Sequence, residues 1–110
     1  MSPEGGPAGR RRMTRVGDLM ADAARELGLE EELRRSRQQA TFDALVAERV
    51  PAAHGACRAL RVDGATLVVE ADAPIVAQEL RLHAGQLVAA FRAAPAGSGV
   101  TELRVMVRMR

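Results

Sequence analysis

Residues 57–92, CRALRVDGATLVVEADAPIVAQELRLHAGQLVAAFR, decide the fold, because their hydrophobic period changes from two to near four. Residues 57–62 and 66–71 are short β-rich runs joined around Asp63-Gly64, a hairpin signal. Leu60 and Val62 alternate on one side, and Leu67, Val69 and Ala71 supply the matching face of the partner strand. Asp72 is a suitable N-cap, with Pro74 close behind it where a missing N–H costs nothing. Val76, Leu80, Ala84, Leu87 and Phe91 then step by three or four, with Ile75 and Val88 widening the stripe, which predicts a helix ending near Arg92.

Downstream, Ala93 to Gly99 is a small-residue loop. Leu103, Val105, Val107 and Met109 alternate with Glu102, Arg104, Met106 and Arg108, predicting a last strand with a charged outer face. Upstream, Asp18 opens a short helix with Leu19, Met20, Ala23, Ala24 and Leu27 at helical spacing, and Gly28 is a natural stop. A second helix begins at Leu29, is favoured at its start by Glu30, Glu31 and Glu32, and ends before Pro51. Its apolar positions are Leu33, Ala40, Phe42, Leu45 and Val46.

The expected order is therefore α-α-β-β-α-β. A hairpin, a crossover helix and a third strand make a three-stranded mixed sheet, with the helices on its apolar face: an α+β two-layer sandwich. The other face would show Arg61, Val68, Glu70, Arg104, Met106 and Arg108. Residues 1–16, rich in Gly and Pro with no hydrophobic period, read as a disordered basic arm, and 17–110 as the folded domain.

Composition excludes several classes. The 110 residues are 47% hydrophobic and 27% charged, which places the chain among globular domains with one modest core. No apolar run approaches the roughly 18 residues a membrane span needs, and no apolar stretch follows Arg10-Arg11-Arg12 as a secretory signal would require. A single cysteine allows no internal disulfide, and the expected compartment is the cytoplasm. All sixteen basic residues are Arg, so Arg in place of Lys is no signal at any one position. With only Phe42 and Phe91 aromatic, base stacking in the manner of sequence-reading single-strand binders is disfavoured.

The net charge of +2 hides a segregation. Residues 1–16 carry +3, 17–33 carry −5, 34–61 carry +4, 62–72 carry −3 and 73–110 carry +3. The arm residues Arg10, Arg11, Arg12 and Arg15 and the patch Arg34, Arg35 and Arg37 are candidate phosphate contacts through arginine's fork of donors. Arg61, Arg104 and Arg108 form a second candidate patch on the open sheet face, set against ion pairs with Glu70 and Glu102.

Catalytic signatures are missing from the sequence. His83 lies beside the apolar stripe of the third helix, and His54 lies in the loop after Pro51. Cys57 with His54 is the one pair that a thiol enzyme would use. Two His and one Cys without paired spacing make no zinc site, and there is no glycine-rich phosphate loop. The G-x-x-G tetrapeptide with which KH domains approach phosphates is also absent. The reading is a non-enzymatic protein with no cofactor.

The stretch Phe42-Asp43-Ala44-Leu45-Val46-Ala47, then His54, Arg61-Val62-Asp63-Gly64, Leu67-Val68-Val69, Ala77-Gln78-Glu79-Leu80 and Leu103-Arg104-Val105 resembles the DciA family. These are small bacterial proteins that load or operate the replicative DNA helicase, and the resemblance covers about residues 17–110. The family commonly has Trp-x-x-Ile-Val-Gly where this chain has Phe42 to Ala47; both departures keep an apolar helix face. The resemblance implies a KH-like domain, binding to DNA and the replicative helicase as protein partner; with the missing stacking aromatics and the segregated charge, the expectation is single-stranded or duplex DNA bound without base preference, in the cytoplasm at the nucleoid. It assigns no site residue. The competing reading on the same fold is an RNA-binding or ribosome-assembly factor.

Overall fold

The computed structural model describes the backbone of residues 8–109 and the side chains of residues 22–109. Helix α1 spans Ala8–Arg49, strands β1 (Cys57–Asp63) and β2 (Thr66–Ala71) form the hairpin, helices α2 (Pro74–Leu82) and α3 (Ala84–Ala93) follow, and β3 (Glu102–Val107) closes the sheet. Short 3-10 turns occupy Pro51–Ala53 and Pro95–Gly97. The chain divides into two compact units, residues 1–33 and 34–110.

The sheet order is β1-β2-β3, with β1 antiparallel and β3 parallel to the central β2. This is the predicted three-stranded mixed sheet of an α+β fold. The two-residue connection between Asp63 and Thr66 holds Gly64 at φ 66, a left-handed conformation that glycine adopts without cost from a Cβ. Between β2 and β3 the crossover runs through α2 and α3, as parallel neighbours require.

The core forms between one face of the sheet and the helices. Leu67, Val69 and Ala71 of β2 meet Phe42, Val46, Ala77, Leu80, Leu87 and Phe91, with Leu103, Val105 and Val107 of β3 completing the layer. Phe42 and Phe91 are the largest fully buried side chains, so the two aromatics serve the core. β3 is an edge strand, and Arg81 of α2 donates to its Val105 carbonyl at 2.9 Å. At the opposite edge Gln39 of α1 donates to Ala59 of β1 at 3.2 Å, so side chains satisfy carbonyls on both edges.

The helices depart from the predicted order: it is α-β-β-α-α-β. One helix precedes the sheet instead of two, because α1 continues through Gly28 and through the boundary expected at residue 16. A glycine stop needs the left-handed conformation, and Gly28 is not among the positive-φ glycines; left helical, it costs only about 1 kcal/mol amid good helix formers. Residues 1–7 of the expected arm lie outside the described residues.

The helix predicted as continuous to Arg92 is broken at His83, whose φ of −108° and ψ of 16° end α2 and start α3. The stripe survives the break because Leu80 and Leu87 stand a whole number of turns apart and both are buried. Asp72 does not cap α2. Ala73 is the N-cap without a side-chain bond, Pro74 stands at the first position, and Asp72 pairs with Arg108 at 3.6 Å. In α1 the expected core positions Leu33 and Ala40 are exposed, whereas Phe42 and Val46 are buried.

Candidate nucleic-acid interface

The open face of the sheet is built by a bulge. Pairing between β1 and β2 shifts between Ala59 and Arg61, leaving Leu60 as the extra residue. Strict alternation would send Arg58 and Arg61 to opposite faces. With the bulge, Ala59 and Val62 belong to the core side and Arg58 and Arg61 share the other. Leu60, expected in the core, gives its place to Ala59, which is fully buried.

Three cross-strand rows follow from the register: Asp63–Thr66–Glu102, Arg61–Val68–Arg104 and Arg58–Glu70–Met106. In the first row Thr66 donates its hydroxyl to Glu102 at 3.0 Å. In the third, Arg58 Nε meets Glu70 Oε1 at 3.3 Å. Glu70 and Glu102 are thus engaged by Arg58 and Thr66, and among the described residues no carboxylate pairs with Arg61 or Arg104. These two guanidinium groups are exposed on either side of Val68, two strand spacings or about 10 Å apart at the backbone. Val68 is fully buried although it is not part of the helix-side core, as expected of a central-strand residue flanked by the stems of two arginines.

The remaining candidate residues are placed elsewhere. Arg108 follows β3, donates its backbone N–H to Ala71 at 2.7 Å, and is committed to Asp72. Arg34, Arg35 and Arg37 are exposed on α1, and none of them joins the sheet rows. Arg10, Arg11, Arg12 and Arg15 fall on the helical backbone of α1, with side chains outside the described residues. Arg58 is a member of the open face that strand alternation hides, since only the bulge brings it round.

Cys57 and His54 do not face each other as a catalytic pair would. The Cys57 thiol donates to the Ala53 carbonyl at 3.5 Å, while His54 Nε2 meets Asp43 Oδ2 at 3.4 Å. Burial, and then the carboxylates of Asp43 and Asp72, push the Cys57 thiol up to about 11. Thiolate at neutral pH is then about a hundredfold scarcer than at an ordinary cysteine, and iodoacetamide should alkylate the native protein about a hundredfold more slowly than it alkylates glutathione. A rate matching that of glutathione would contradict this burial. Unfolded, the thiol returns to its ordinary value near 9.0, so the unfolded chain loses this proton first. Stability therefore falls as pH rises from about 9 towards 11. His83 meets Glu79 at 3.5 Å, one helical turn earlier.

Among the described residues, no group of three or more His, Cys, Asp or Glu is placed to hold a metal ion, and no helix is long and apolar enough to cross a membrane. A cavity of about 340 Å³ lies where α1 meets β1, lined by Gln39, Ala40, Phe42, Asp43, Arg58 and Ala59.

No curated protein sequence matches the chain. The family described as Dna(CI) antecedent, DciA, matches over residues 15–105, which takes in α1 from Arg15, the hairpin, the crossover helices and most of β3. With the match spanning most of its length, this chain belongs to the DciA family of bacterial helicase-loading factors.

Proposed function

We propose that this protein is a non-enzymatic replication accessory that binds the replicative DNA helicase and, weakly and without base preference, DNA, so that each raises the local concentration of the other. The observation that carries the DNA half is the row Arg61–Val68–Arg104. It holds two exposed, unpaired guanidinium groups on a rigid sheet, next to a row in which Arg58 is already neutralised by Glu70. Arginines fixed on strands suit phosphate oxygens, and the lack of aromatic side chains on that face suits backbone contact better than base stacking. The arm Arg10, Arg11, Arg12 and Arg15 and the patch Arg34, Arg35 and Arg37 add sequence-independent attraction. The helicase half rests on family membership.

The test is capture of partners by the full chain from a lysate of its own organism, at moderate salt and with nuclease, followed by direct titration of the purified replicative helicase. The helicase is expected as the leading partner, and its binding should survive nuclease. Ribosomal proteins dominating after nuclease, with structured RNA outcompeting DNA in a separate titration, would overturn the reading in favour of an RNA-directed role.

A further inference from the structure

The three rows of the open face form a grid, three positions by three, with Val68 at its centre. Neighbouring rows are two residues apart along a strand, or about 7 Å. Asp63 and Glu102 therefore stand one row from Arg61 and Arg104, each on the same strand and the same face as its arginine. Both carboxylate residues are exposed, and the Thr66 hydroxyl, 3.0 Å away, holds Glu102 on that face. Glu70 stands one row from Val68 on the other side.

Four straight lines cross this grid through Val68. The line along β2 joins Thr66 to Glu70, one diagonal joins Arg58 to Glu102, and the other joins Asp63 to Met106. Each of these three ends on a carboxylate. The fourth line, at right angles to the strands, joins Arg61 to Arg104 and meets none. The outer strands offer no better course, since β1 leads from Arg61 to Asp63 and β3 from Arg104 to Glu102. A carboxylate about 7 Å from a phosphate repels it, and more strongly at a protein surface than in open water.

Resting on the reading of this face as the DNA surface, we infer that the phosphate backbone crosses the sheet at right angles to its strands, along Arg61 and Arg104, and that Asp63 and Glu102 hold it to that path. The two carboxylates act as a rail on the hairpin side. On the far side Arg58 and Glu70 offset each other and Met106 is uncharged, so little draws the backbone that way. The residues that direct the backbone also keep its binding weak.

Asp63→Asn with Glu102→Gln tests this, because each amide keeps the shape and an acceptor oxygen while losing the charge. At about 0.1 M salt, where charges more than about 10 Å away are largely screened, the pair should bind fluorescein-labelled oligothymidine about fivefold more tightly. Glu26→Gln with Glu48→Gln makes the same change of net charge on α1, outside the grid, and should tighten binding less than about twofold. The path itself is read by an oligothymidine with a short disulfide tether on one internal phosphate, added at saturation to a Cys57→Ala background. Ala65→Cys, at the tip of the hairpin, should trap it slowly while Asp63 and Glu102 are present and several-fold faster once both are neutral, each rate taken relative to a free disulfide of the same tether. Binding no tighter than that of the α1 control, or equal trapping before and after neutralisation, would overturn the inference. Arg61→Gln with Arg104→Gln separates the two levels. If that variant binds as the wild type does, the face is not the DNA surface and the path falls with it; if it binds weakly while neutralisation changes nothing, the path alone is overturned.

Discussion

Gly97→Ala is expected to cost the folded domain about 3 kcal/mol and to lower its melting temperature by about 15 °C. Gly97 is buried in the turn Pro95–Gly97, packed on the end of α3. A Cβ there would stand 2.0 Å from the Phe91 carbonyl oxygen and 2.4 Å from Phe91 Cδ2. Neither atom can yield cheaply: the first is helix backbone, and the second belongs to a ring that is fully buried in the core. The turn must move away, and with it Val100, another fully buried residue that leads into β3. Gly85→Ala, in the first turn of α3 with open space around the new methyl, is the control and should stabilise by about 0.5 kcal/mol. Thermal unfolding by circular dichroism separates the two; equal melting temperatures would mean that Gly97 is not a point of close approach.

Reversing both central arginines of the open face, Arg61→Glu with Arg104→Glu, should lower DNA affinity about a hundredfold at low salt. The neutral pair Arg61→Gln with Arg104→Gln should reduce the salt slope on duplex DNA by about two, one for each lost phosphate contact. Both side chains are exposed and unpaired, so the fold should keep its stability within about 0.5 kcal/mol. Arg49→Glu with Arg92→Glu makes the same change of net charge on the helices and serves as the control. If the control weakens binding as much as the sheet variant does, attraction is spread over the whole surface and the row carries no special contact. Fluorescence anisotropy of a labelled oligonucleotide over a salt series reads all three.

Much of this architecture is legible in the residues because it is local. Asp63-Gly64 sets the hairpin, the three-and-four spacing from Val76 to Phe91 sets a helical layer, and the alternation from Glu102 to Val107 sets the last strand. Each depends on contacts within one element, where period and turn chemistry are enough. The helix boundaries were harder because they turn on small local balances. Gly28 costs a helix about 1 kcal/mol, which the good helix formers around it outweigh, whereas α2 ends at His83, an ordinary residue whose propensity marks no break.

The sequence by itself determined the three strands, the apolar stripes, the segregated charge and membership of the DciA family. Only the tertiary structure decided which arginines stand together and which are free. A single inserted residue, Leu60, turns Arg58 onto the open face, where it meets Glu70, while the separate register of β2 with β3 gives Glu102 to Thr66. The physical reason is that strand pairing has a period of two, so one extra residue exchanges the faces on either side of it, and that exchange is fixed by the partner strand.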